Sequence, residues 1–338
     1  MEYRTLGRCG LKVSEFCLGT MTFGHGAEEA EVRAMVELAL EAGVNFFDTA
    51  DTYGDGRSEL LLGQALEGRR DEVVLATKVF NPTGSGPNDS GLSRAHIVRG
   101  LEASLRRLRT DWVDLYYVHH VDEQTPLEET VRALDDLVRQ GKVRYPACSN
   151  FEAWRLMEGL WLSAANGLAG FACYQPQYSL VVRDVEDELI PACRLKGLGV
   201  VCWSPLAGGF LSGKYGSGER SRPGTRSAEG WCFPRPFFSP AADQILDAVT
   251  TTAAALGRTP AQVALRWVVE QPKITAAILG ARSVDQLRDN LGATGWRLPA
   301  EAREELDRVS APPDRYPAAM ERTMRRRRDQ AVQQPKAS

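Results

Sequence analysis

Four ionisable side chains fall at or just past short runs of strand-forming residues. "NFFDTADTYG" carries Asp48 and Tyr53, "VVLATKV" carries Lys78, and "DLYYVHHVD" carries His119 beside His120. Each type has a use in proton chemistry. A phenol with an ordinary pKa of about 10 is a reluctant acid at neutral pH. An ammonium beside it stabilises the phenolate and draws that value down. A carboxylate beside the ammonium keeps it charged and oriented. An imidazole donates a hydrogen bond to an oxygen that gains negative charge. The set suits proton transfer to an oxygen that gains negative charge. Lysine makes it notable, because only seven of the 41 Lys and Arg residues are Lys. A lysine inside an apolar strand is costly unless paired, and Asp48 is an available partner. The paired histidines also admit a second reading, a metal-dependent hydrolase. Such sites need several His or carboxylate ligands, and the other histidines, His25 and His96, stand in no H-x-H pattern. We therefore expect no metal.

The elements that must position these residues alternate along the chain. Strands are expected at 13–20, 45–50, 73–79, 114–120, 145–150, 171–179, 199–205 and 276–281. Amphipathic stretches lie between them. In "EAEVRAMVELALEAG" the apolar Val32, Met35, Val36, Ala39 and Leu40 recur at helical spacing and stop at Gly43, a common helix terminator. Eight strands each followed by helical sequence predict an α/β fold, a (β/α)8 TIM barrel with functional residues at the C-terminal ends of its strands. An open doubly wound sheet is the rival, weakened by the lack of a G-x-G-x-x-G turn after the first strand. "EYRTLGRCGLKVSE" reads as an N-terminal β-hairpin. Long loops follow strands 3 (81–91) and 7 (215–240). The second holds Trp231, Phe233, Phe237 and Phe238, which either wall an apolar substrate or pack on the barrel rim. Residues 1–312 are expected to form a single barrel domain. Residues 313–338, Pro-rich, then basic, then polar, are expected to form a partly disordered extension, loose over at least the last ten residues. Pro146 cannot donate a ladder bond, so an irregularity is expected in the fifth strand.

Composition narrows the classes. A formal net charge of −3 gives no basic field for nucleic acid. No apolar run approaches the ~18 residues that span a bilayer, and the polar "MEYRTLGRCG" start has no signal core. A cytoplasmic protein is expected. The seven cysteines show no C-x-x-C spacing and read as reduced core thiols, with a reactive Cys148 as the minority alternative.

Asp48, Tyr53, Lys78 and His119 resemble the catalytic tetrad of the aldo-keto reductase superfamily. The resemblance runs from "LGRCGLKVSEFCLGTMTFG" to "LGARSVDQLRDNLGA", through "YGDGRSELLLGQAL", "GKVRYPACSNF", "YQPQYSL" and "WSPLAGGFLSGKY". "WSPLAGG" and "GARSxxQxxxN" are similar to the branch that includes potassium-channel β subunits. "HHVD" is similar to reductases of deoxysugar and antibiotic pathways. The Arg- and Ala-rich composition also points towards secondary metabolism in a GC-rich bacterium. The resemblance implies an NADPH-dependent carbonyl reductase with Tyr53 as general acid. It implies that Gly19, Thr20, Ser149, Asn150 and Gln175 hold the nicotinamide end of the cofactor and that Trp203 stacks on its ring. Ser204, Pro205, Leu206, Gly208 and Lys214 then meet the pyrophosphate, and Gly280, Arg282, Gln286 and Asn290 the adenosine end. Arg282 suits a 2′-phosphate. Phe23, His120 and Trp231 are expected at the substrate pocket. "ACSN" stands where the family commonly has "GVSN". A channel-type regulatory subunit with vestigial activity is the alternative. The family includes monomers and tetramers, so a homo-oligomer is an open expectation. Because successive strand residues point to opposite faces, only His119 is expected to turn its ring to the reaction.

Overall fold

The computed structural model describes residues 1–215 and 239–333. Trp231 and the other loop aromatics lie outside them. Among the described residues the strands are β1 (Tyr3–Thr5), β2 (Lys12–Ser14), β3 (Phe16–Gly19), β4 (Phe46–Asp48), β5 (Val74–Val79), β6 (Val113–Val118), β7 (Val143–Ser149), β8 (Cys173–Gln175), β9 (Gly199–Cys202) and β10 (Ala276–Gly280). The helices are α1 (Glu29–Glu41), α2 (Arg57–Ala65), α3 (Arg94–Leu108), α4 (Leu127–Arg139), α5 (Ala153–Ala165), α6 (Leu189–Lys196), α7 (Pro240–Leu256), α8 (Pro260–Glu270), α9 (Val284–Leu291), α10 (Ala300–Val309) and α11 (Ala318–Gln333).

Strands β3 to β10 close into a parallel barrel, β10 pairing with both β3 and β9. The expected eight-stranded barrel is present. Its outward residues, such as Phe16, Phe47, Leu75 and Tyr116, pack under the helices in one core. Cys17, Phe46, Ala76, Tyr117, Cys173 and Val201 face inward and fill the barrel. Helix α1 buries Val32, Met35, Val36 and Ala39. It ends where Gly43, at φ +82°, adopts a left-handed conformation that a side chain would strain.

The hairpin is β1 paired antiparallel with β2, Tyr3 opposite Ser14 and Thr5 opposite Lys12. This splits the expected 13–20 strand, because residues 12–14 pair in the hairpin and the barrel strand starts only at Phe16. Leu6 and Val13 are fully buried in the barrel's inner core, so the hairpin plugs its N-terminal end. β7 runs unbroken through Pro146, which sits opposite Tyr116 while its carbonyl accepts from Ala172 N at 2.9 Å. The expected irregularity is absent there, because the strand needs only that carbonyl on the β8 side. Helix α11 takes up most of the described part of the C-terminal extension, and residues 334–338 lie outside the described residues. Arg322 ties that helix to Asp187 at 3.3 Å and to Asp314 at 2.8 Å, and Arg315 pairs with Asp184.

Candidate active site

The inward parity of the barrel builds the site. Along β4, Phe46 faces in, Phe47 out and Asp48 in; along β5, Ala76 faces in, Thr77 out and Lys78 in. Carried around the barrel, the same alternation sets Gly19, Ser149, Gln175 and Gly280 in one top layer at the strands' C-terminal ends. Lys78 is fully buried. Its ammonium donates to the Asp48 carboxylate, to Thr49 O at 2.7 Å and to Tyr53 Oη at 3.3 Å. Burial acts to strip the proton from Lys78, but Asp48, with Tyr53, outweighs it and holds the ammonium above its usual pKa. Asp48 is anchored on its other oxygen by Gln175 Nε2 at 2.8 Å. That contact was not expected from the sequence, which assigned Gln175 to the cofactor alone.

Tyr53 departs from expectation in sign. Burial raises its pKa more than the Lys78 charge lowers it, so the net shift is upward. The phenol therefore holds its proton at neutral pH. Lys78, 4.9 Å from the ring centroid, acts on the charge that appears as the proton leaves rather than by ionising the phenol beforehand. His119 lines the same cavity, its ring edge-on to Tyr53 with centroids 5.9 Å apart. Burial first, then Lys78 and His120, hold it well below the usual imidazole range, so it is neutral.

The paired histidines do not alternate. β6 stops at Val118, and beyond it both rings turn to the cavity and stack at 4.7 Å with 17° between planes. The expectation of opposite faces fails because the pleat that enforces it ends one residue too early. Phe80 closes edge-on against His120 at 5.3 Å.

A cavity of about 430 Å³ runs from Tyr53 and His119 to Arg282, Gln286 and Asn290. Every position expected to hold the cofactor lines it except Thr20, which is buried behind it on Ser58 Oγ at 2.7 Å. Phe23, expected at the substrate pocket, lies fully buried in the outer core and does not line the cavity. Met21, Ser212 and Asp289 line it without having been singled out. Asn150, at φ +60°, donates to His119 O at 3.0 Å and to Ser149 Oγ at 2.9 Å, and accepts from Trp203 Nε1 at 3.2 Å. These residues fit a dinucleotide by their chemistry. Amide and hydroxyl groups and an indole surround the reacting end, while Lys214 and Arg282 supply cations beyond it. The turn there runs through Gly208 and Gly209, both in the left-handed region at φ +66° and +94° that favours glycine. Cys148 is fully buried and its thiol is pushed well above its usual pKa, which makes it packing.

The sequence model of the aldo/keto reductase family matches residues 15–311. An uncharacterized oxidoreductase of Bacillus subtilis (strain 168), YrpG, is 42% identical over 326 residues, covering 91% of this chain and 96% of its own. A probable voltage-gated potassium channel subunit beta of Oryza sativa subsp. japonica is 37% identical, covering 92% of this chain and 96% of its own. A protein of the same description from Arabidopsis thaliana is 38% identical, covering 87% and 91%.

Proposed function

The chain belongs to the aldo/keto reductase family, and we propose that within it the protein is an NADPH-dependent reductase of ketones or aldehydes with Tyr53 as general acid. That it is an NAD(P)H-dependent oxidoreductase follows from the family. The observation that carries the finer reading is Lys78, fully buried yet charged, joined to both Asp48 and Tyr53 at the mouth of the barrel. A nicotinamide held in this cavity would supply the hydride. Tyr53 gives its proton to the carbonyl oxygen, Lys78 stabilises the phenolate left behind, and His119 donates a hydrogen bond to the developing oxyanion. Asp48, held by Gln175, keeps Lys78 in place. Ser149, Asn150 and Trp203 orient the nicotinamide, and Lys214 and the glycine turn at 208–209 receive the pyrophosphate. Arg282, at the far end of the cavity beside Gln286, supports NADPH over NADH because a guanidinium matches a 2′-phosphate. The "HHVD" similarity supports a natural-product or deoxysugar ketone as substrate. The six cysteines among the described residues are free thiols, most of them buried, which suits a reducing cytoplasm.

Purified protein mixed with NADPH and a panel of ketones and aldehydes tests this, and failure to bind the cofactor sinks it. Tyr53→Phe should remove turnover and spare NADPH affinity, while unchanged turnover would show that another group supplies the proton. The plant relatives' description as channel β subunits favours a second reading, a nicotinamide-binding regulatory subunit. A partner that co-purifies together with negligible turnover would establish it, and the intact His119 speaks against it.

A further inference from the structure

Asn81 stands two residues past the end of β5 and has no part in the chemistry above. Its amide Nδ2 lies 3.4 Å from His119 Nδ1. We propose that Asn81 is a positioning residue that fixes the tautomer of His119 and so decides which ring nitrogen presents a proton to the substrate.

A neutral imidazole carries one N–H and one lone pair, and the partner of one nitrogen settles the state of the other. His119 is neutral here, since burial with Lys78 and His120 holds it well below its usual range. An amide N–H aimed at Nδ1 makes that nitrogen the acceptor and leaves the proton on Nε2. No group among the described residues bonds Nε2, while the ring itself lines the cavity. A carbonyl oxygen is an acceptor, so a donor must face it. The reverse amide orientation would bring the proton to Nδ1 and set a bare lone pair of Nε2 against the substrate oxygen. The ring plane is clamped independently, by the stack on His120 and the edge of Tyr53. The backbone is clamped too, His119 N donating to Val79 O at 3.0 Å and Asn150 Nδ2 to His119 O at 3.0 Å. What these contacts leave open is the proton's place, and Asn81 closes it. The contact is long for a hydrogen bond, as catalytic contacts often are before substrate tightens them.

Asn81 is placed for this task. The loop it opens is closed behind it by Gly91 N donating to Phe80 O at 2.7 Å. Asp122, on the segment that carries the histidines, accepts from Leu92 N at 2.7 Å. Asn81 and His119 are thus borne by two segments tied to one another.

The inference rests on the reductase reading only for its kinetic arm. The full chain, labelled with 15N-histidine, contains four histidines, and His119 is assigned by replacing each of the other three in turn. Ring-nitrogen shifts at neutral pH, read without cofactor or substrate, should show the Nε2–H form. Asn81→Asp has the same size but only acceptors, and should move the proton to Nδ1 or charge the ring. Asn81→Ala should give a mixture of both tautomers. With NADPH and a carbonyl substrate, Asn81→Asp should lower kcat ~100-fold, the usual loss of one oxyanion donor, with NADPH affinity unchanged. A wild-type ring in the Nδ1–H form overturns the proposal. So does a single Nε2–H form that persists in Asn81→Asp or Asn81→Ala. Failure of the reductase reading looks different: the wild type turns over no carbonyl and binds no NADPH, whatever the tautomer.

Discussion

Asp51 follows Asp48 by three residues in the same segment, yet its carboxyl sits on the outer side of the layer. It is almost fully buried, and neither oxygen accepts a hydrogen bond of good geometry from the described residues. Burial first, then the neighbouring Glu59 carboxylate, push its pKa up to about 7, against the opposing pull of Arg107. The folded-state value is raised, so the chain pays nothing for Asp51 below its unfolded pKa of ~4, where the group is protonated in both states. As pH rises towards 7 the unfolded chain releases a proton that the folded chain keeps, and stability falls. The full effect is up to ~4 kcal/mol for a shift of this size. Asp51→Asn removes the charge at nearly constant shape. Urea unfolding at pH 8 should show the variant more stable by ~1–3 kcal/mol, with the gain gone near pH 4. A difference that is equal at both pH values would mean that folding leaves the Asp51 pKa unshifted.

Segment joints decide whether the active side chains stay where the strands put them. Asp122 makes the joint between the loop after β5 and the one after β6. Its carboxylate accepts from Leu92 N and Thr125 Oγ1, each at 2.7 Å, and from Gln124 N at 2.9 Å. Burial alone would raise its pKa, but these donors outweigh it and hold the carboxyl below its usual range. Asp122→Ala leaves these donors without their acceptor, and should cost ~1–3 kcal/mol and speed amide exchange in residues 80–93 while leaving β5 and β6 protected. Exchange that stays as slow as in the wild type would place the joint elsewhere. The strands themselves were legible in the sequence, as eight apolar runs between amphipathic helices. Their ends were not, because β propensity continues past the last paired residue, as in "NFFDTA", where only Phe46–Asp48 pairs. The tetrad was legible because Lys78 is a rare residue in an apolar run and the others fall at equivalent strand ends. Asn81 against His119, 38 residues apart, and Gln175 against Asp48, 127 apart, were not. Those contacts depend on how far the barrel brings two loop or strand ends together, which no local pattern records. His120 went astray for a related reason: period-2 alternation holds only while a strand is paired.

Across the molecule the barrel separates its tasks by end. The ionisable cluster that works on substrate sits at the C-terminal mouth, and a second buried charge cluster holds the opposite end. Glu15, fully buried between β2 and β3, bonds Arg266 Nη2 at 2.8 Å and Arg4 Nη2 at 3.2 Å. Arg4 also donates to Val269 O at 2.7 Å, and Arg266 pairs with Glu270 at 3.1 Å. One carboxylate therefore joins the hairpin plug to helix α8. Replacing such a network by apolar packing can be neutral, but removing a single partner strands a charge in the interior. Glu15→Ala takes the closer of two carboxylates from Arg266, whose side chain is 1% exposed, and leaves it Glu270 alone. The expected loss is ~1–3 kcal/mol of unfolding free energy. Because the cluster lies at the far end of the barrel from Tyr53 and Lys78, kcat and KM below the melting transition should be those of the wild type. Denaturation and steady-state kinetics on the same preparation separate the two effects. A variant as stable as the wild type would mean that the plug is held by Leu6 and Val13 alone, and a changed kcat in a folded variant would mean that the two ends are coupled through the barrel's inner core.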